Sequence, residues 1–237
     1  MKNHYVLKVS LLLSFLFAIN NLFGANINVS GTIASNTTWS ADTVKVTADL
    51  TIANSVILTI NPGVYVQFQG HYKLDVKGRI IALGTASNKI TFTALSPTVG
   101  WSGIRFENTP ILNDTSKFEY CVISYGKANS GLSNDKSGGA VFLYNFSKVV
   151  IENCILSNNY AAYYGGAIAC RYNASPRIIN NLMVNNTASS VGGAMMIYSS
   201  SNPILINNTI AYNTSSTGGG IYFGNSNGLV KNCIIYG

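Results

Sequence analysis

The chain has 237 residues, of which 10% are charged and 47% hydrophobic, whereas an ordinary soluble protein carries about 25% charged residues. So little charge beside so much apolar character excludes a disordered chain; the abundance of Asn, Ser, Thr, Gly, Val and Ile argues against helices, whose surfaces are normally rich in Lys, Glu and Arg. The formal charge of +7 is spread along the chain without a basic cluster, which speaks for a solvated surface and against a nucleic-acid partner.

Residues 1–25 read as a secretory signal peptide. Lys2 and Lys8 precede an apolar run over 9–19, and small residues, Gly24 and Ala25, follow it. The run is too short to span a bilayer comfortably, and no later stretch reaches about 18 apolar residues, so the mature chain is expected to carry no membrane span. Removal of the signal leaves 13 basic against 8 acidic residues, a charge of +5. The destination is outside the cytoplasm, secreted or on the outer-membrane or cell surface.

Residues 26–48 are expected to form an N-terminal cap with the first strands, ahead of a solenoid over 49–237. Leu50-Thr-Ile52, Leu58-Thr-Ile60, Val64-Tyr-Val66, Leu74-Asp-Val76 and Ile90-Thr-Phe92 alternate as short strands do, with Asn61-Pro62-Gly63, Lys77-Gly78 and Gly84 as turns. Trp101 to Phe106 and Phe118 to Ile123 continue the pattern. The polar stretch 126–137 is expected to protrude as a loop.

The second half is governed by a repeat. Gly138-Gly139-Ala140-Val141 recurs at Gly165, Gly192 and Gly218, spacings of 27, 27 and 26 residues. Asn153-Cys154, Asn180-Asn181, Asn207-Asn208 and Asn232-Cys233 keep step with it. So do Leu156-x-x-Asn159, Met183-x-x-Asn186 and Ile210-x-x-Asn213. One such unit cannot bury its own apolar face, so units must stack. Coils of short strands about 4.8 Å apart in parallel register do this. The fold class expected is therefore all-β, a parallel β-helix. Four inward columns follow, led by Val141, Leu143, Ile151 and Leu156, with side chains two residues apart on one face. The glycine pairs fit tight corners, and stacked asparagines can hydrogen-bond as a ladder.

The glycine motif paired with an apolar-x-x-Asn motif resembles the repeats of chlamydial polymorphic outer-membrane proteins. Leu58 to Val64, Leu74 to Gly78, Ile90 to Phe92 and Gly100 to Ile104 resemble secreted right-handed β-helix proteins of Bacteroidetes-like bacteria. Together the resemblance covers residues 48–237 and implies a right-handed parallel β-helix of pectate-lyase-like superfold and an extracellular or surface location. It does not imply lyase activity.

Candidate chemistry is sparse. His71 is the one histidine left after signal removal and reads as a surface turn residue. Glycoside hydrolysis needs two carboxyl groups flanking one bond, yet no acidic pair recurs at coil spacing, and Asp75 with Lys77 and Arg79 reads as a solvated edge. Calcium-binding solenoid repeats need Asp at fixed places, and the glycine motifs carry none, so no metal or other cofactor is expected. Cys121 and Cys154 align on adjacent coils, within disulfide reach; together with Cys170 and Cys233 they read as small buried apolar groups.

The outward positions carry the best functional hint. Strand alternation sets Phe142, Tyr144, Met196, Tyr198 and Tyr222 in an exposed stripe beside Arg171, suited to sugar chains or a protein partner. The sequence ends inside a repeat, so end-to-end self-association of an uncapped coil is a further expectation. These readings favour an exported, non-enzymatic β-helix serving as an adhesin-like or carbohydrate-binding surface scaffold. A polysaccharide lyase or glycoside hydrolase, with carboxylates from the N-terminal coils and the 126–137 loop, is the alternative.

Overall fold

The computed structural model describes residues 25–146 and 148–236; the expected signal peptide lies, but for Ala25, outside the described residues. Among the described residues there is no helix, and the strands fall into three parallel sheets of 15, 8 and 3 strands. Short apolar strands broken by Asn, Ser and Gly have no other way to bury their inward faces than to lie on the next coil.

The long strand Thr43–Ile52 sets the frame. Its first half pairs with Tyr65–Phe68, opening a rear face that runs on through Ile90–Ala94, Cys121–Ser124, Ile155–Ser157, Leu182–Val184, Thr209–Ala211 and Ile234–Tyr236. Its second half pairs with Leu74–Val76, opening a front face that runs through Ile104–Glu107, Val141–Tyr144, Ile168–Arg171, Met195–Tyr198 and Ile221–Gly224. The eight-stranded sheet, from Thr37–Trp39 to Leu229–Lys231, forms a middle face between them. Segment 26–48 belongs to this frame, since Asn26–Ile33 pairs in parallel with Thr43–Ile52 and Thr37–Trp39 pairs with Ile57–Ile60.

The inward columns are those read from the repeat. Val141, Ile168, Met195 and Ile221 are register partners, as are Ile151, Ile178, Leu205 and Val230, and Leu156, Met183, Ile210 and Ile235. The first three members of each column are fully buried. At the corner before the front face, Gly165 has φ +62°, a left-handed conformation natural to glycine, and a Cβ there would meet the Ile168 carbonyl. A Cβ on Gly166 would meet the Gly193 carbonyl of the next coil. At Gly166 two backbones touch, so a side chain there would displace the next coil, while at Gly165 it would strain its own.

Polar ladders hold the other corners. The Asn159 side-chain amide donates to Asn186 Oδ1 (2.9 Å), and that of Asn186 to Asn213 Oδ1 (2.9 Å); the backbone amides of Gly126, Asn159 and Asn186 are each capped by the next side chain along. A second ladder runs Cys121, Cys154, Asn181, Asn208, Cys233. Cys154 Sγ accepts from the Cys121 amide (3.3 Å), Asn181 Oδ1 from that of Cys154 (2.8 Å) and Asn208 Oδ1 from that of Asn181 (2.9 Å), and Cys233 Sγ accepts from the Asn208 amide (3.4 Å). Reading these cysteines as small apolar groups therefore needs correcting. Cys121 and Cys154 are buried free thiols, as that reading had it, but Cys121, Cys154 and Cys233 occupy asparagine positions, and Cys154 and Cys233 work there as weak acceptors. Burial pushes the Cys121 and Cys170 thiols well up, which keeps them protonated and unreactive.

Candidate functional site

Two outward columns cross the front face. One reads Thr51, Asp75, Arg105, Phe142, Ala169, Met196, Tyr222; the other reads Glu107, Tyr144, Arg171, Tyr198, Gly224. Side chains are ionic toward the N-terminal coils and aromatic toward the C-terminal ones.

At the aromatic end, the left-handed glycines turn the residue before them, Tyr164 or Val191, over the outward side of the sheet. There Tyr164 bridges to Ser137 and Val191, so these corner residues form a rail of their own. Under it Phe142, Ala169 and Met196 form a second apolar cluster, with Tyr144, Tyr164, Val191, Tyr198 and Tyr222 packed against it. The expected exposed stripe is corrected accordingly: Phe142 is 0% and Met196 2% exposed, because the rail covers them. Met196 still forms the floor of a recess of about 450 Å³ walled by Tyr164, Arg171, Tyr172, Tyr198 and Tyr222. Arg171, Met196, Tyr198 and Tyr222 are thus brought together. Tyr144 stands behind, its ring 4.9 Å from that of Tyr172, and Phe142 supports the floor from below. Tyr164 and Tyr172 are additions that the sequence reading missed; the Tyr163-Tyr164 pair directly before Gly165-Gly166 was the available signal.

Arg171 is held for display. Its Nη1 donates to Asn134 Oδ1 at 3.0 Å, and its guanidinium lies 5.8 Å from the Tyr164 ring centre and 5.5 Å from that of Tyr172, distances at which a ring face attracts a cation. Its Nε is buried without a hydrogen-bond partner. Neither ion pair among the described residues involves Arg171, so the recess carries a cation with no carboxylate against it. A wider, more open groove of about 590 Å³, lined by Pro97, Tyr125, Lys127 and Tyr160, lies near the rear face.

At the ionic end the sequence reading of Asp75, Lys77 and Arg79 as one solvated edge needs correcting. Asp75 pairs with Lys77 at 3.1 Å and is mostly buried, whereas Arg79 turns away to Asp114 at 3.4 Å. Arg105, 2% exposed, donates from Nε to the Ser102 carbonyl (2.7 Å) and from Nη1 to the Ser137 carbonyl, and its guanidinium lies 5.7 Å from the Phe142 ring. Burial lowers its pKa to about 10, partly offset by Glu107, so it stays charged at neutral pH. Burial also raises the Glu107 carboxyl, an effect Arg105 opposes. His71 is likewise not a plain surface turn residue: it is half-buried, with both ring nitrogens engaged. The 126–137 stretch does not simply protrude, since Lys127–Ala128 starts the three-stranded sheet and 130–135 folds back over this end of the face.

No curated protein and no solved structure matches the chain. Residues 102–237, more than half of it, match the family described as the right handed beta helix region. That span holds every coil of the aromatic end and the stacked columns behind it, and the chain belongs to the right-handed β-helix family.

Proposed function

We propose that the chain is an exported surface scaffold that binds carbohydrate in the tyrosine-walled recess of the front face without cutting the glycosidic bond. The observation that carries this reading is the recess itself: four tyrosines around Arg171, whose charge no carboxylate neutralises. Aromatic faces cover the apolar faces of sugar rings at little entropic cost, while tyrosine hydroxyls and a guanidinium supply polar contacts. A carboxylate-bearing sugar would meet a forked, geometrically matched donor in Arg171.

Glycan-array binding by the mature chain tests this, with Arg171→Ala and Tyr198→Ala run beside it. The expected result is a defined set of bound glycans, at least tenfold weaker with either variant. A blank array, or binding that both variants retain, overturns the reading. A lyase or hydrolase reading draws on Asp75 and Glu107 near buried Arg105 at the other end of the face. Release of sugar products that Asp75→Ala abolishes would favour it instead, because glycosidases work through paired carboxyl groups about 5–10 Å apart.

A further inference from the structure

His71 and Ser102, which the carbohydrate reading leaves unused, make a nucleophile–base pair. Ser102 Oγ lies 3.0 Å from His71 Nδ1, and His71 Nε2 lies 2.7 Å from the Lys127 carbonyl oxygen. A carbonyl can only accept, so Nε2 carries the proton, and in the neutral imidazole Nδ1 then keeps its lone pair. The Ser102 hydroxyl therefore donates to Nδ1. This is the arrangement of an activated serine: a hydroxyl on an imidazole whose far side is fixed by a third group, here a backbone carbonyl. Both side chains are half-buried and border a cavity of about 230 Å³.

The rest of that cavity fits the same chemistry. Its wall includes Asp49, Lys73, Arg105 and Asp135, two carboxylates against two cations, so it favours an uncharged group. Arg105 braces the Ser102 carbonyl through Nε, while its buried Nη2 has no hydrogen-bond partner. A buried cationic donor lacking an acceptor beside a serine suits an oxygen that gains negative charge during reaction.

We propose that Ser102 is the nucleophile of an ester-cleaving site that removes a small uncharged acyl group, of about acetyl size, from an alcohol. Ser102 Oγ bonds to the acyl carbon as its proton passes to His71 Nδ1, and the Lys127 carbonyl stabilises the imidazolium. Collapse of the tetrahedral oxyanion breaks the bond to the alcohol oxygen, which takes that proton from His71. Water then gives a proton to His71 and its oxygen to the acyl carbon. Ser102 leaves with the proton, and the products are a carboxylic acid and an alcohol.

The test uses the mature chain and diisopropyl fluorophosphate, which an activated serine attacks at phosphorus with loss of fluoride. Intact mass and peptide mapping should show one adduct per chain, on Ser102, and none in Ser102→Ala. His71→Gln, which keeps an amide donor for the Lys127 carbonyl, should label at least about a hundredfold more slowly, with thermal unfolding showing both variants folded. No adduct on the folded wild-type chain, an adduct elsewhere, or an equal rate in His71→Gln would overturn the proposal. Because the readout needs no sugar, it can fail while the glycan array succeeds, and the reverse.

Discussion

The two ends of the front face share one backbone, one register and the same two inward columns, yet they differ in kind. Toward the N-terminus the outward positions are Asp75, Arg105 and Glu107; toward the C-terminus, across the same ladder, they are Ala169, Met196, Tyr198 and Tyr222. The inward side holds the coils together at both ends, so the outward side is free to vary. Each end meets its own cost differently. Buried charges are held by partners, Asp75 by Lys77 and Arg105 by the Ser102 and Ser137 carbonyls, with only Arg105 Nη2 left over, whereas the apolar end gains by hiding Phe142, Ala169 and Met196 under the corner rail. Phe142 stands at the junction, with the Arg105 guanidinium on one side and the aromatic cluster on the other.

The junction is where the largest effect is expected. Phe142→Ala empties a fully buried site and should cost about 3–5 kcal/mol, measured by urea unfolding; a loss near zero would mean the two ends do not lean on each other. Asn186→Ala attacks the common frame beneath the aromatic end. It removes an acceptor for the Asn159 amide and side chain and a donor to the Leu156 carbonyl, so about 3 kcal/mol should be lost. Hydrogen exchange should quicken at the Asn159 amide but not in Leu74–Val76.

Function should divide as the chemistry does. Arg171→Ala should weaken the best array glycan at least tenfold, about 1.4 kcal/mol, while Lys77→Ala should leave it within about twofold; titration calorimetry on both variants decides. The smallest expected effect concerns pH. Burial raises Glu107 in the folded chain, so between the ordinary glutamate value, about 4.3, and the raised one the folded state holds more protons than the unfolded one. Stability then falls as pH rises through that window. Glu107→Gln should remove this fall and melt slightly higher than wild type at neutral pH, with no advantage below the window. A pH-melting series in which the two curves stay parallel would exclude the effect.

Much of the frame was legible because a solenoid repeats its constraints. Val141, Ile168 and Met195 could be placed in one file from spacing alone, and the alignment of Cys121 with Cys154 agrees with the flanking register of Phe118 on Ile151 and Ile123 on Leu156. The site was legible only in part. Alternation sent Phe142 and Met196 outward correctly, but outward did not mean exposed, since Tyr164 and Val191 arrive from a corner that strand periodicity does not describe. His71 and Ser102 lie 31 residues apart in coils with no repeated marker, so nothing in the sequence put them side by side. Cys154 and Cys233 hid their ladder role because a thiol can stand in for an asparagine oxygen without resembling it.

In the asparagine ladder the side-chain amides of Asn159 and Asn186 each donate a hydrogen bond to the asparagine Oδ1 one repeat later, 27 residues along. Every coil therefore presents to its successor the contacts it received from its predecessor. An in-frame duplication or excision of one repeat within this region would join surfaces that already match, and the molecule could lengthen or shorten by whole coils. Such changes would lengthen or shorten the tyrosine recess while leaving the serine–histidine pair, which belongs to the unrepeated coils, where it is.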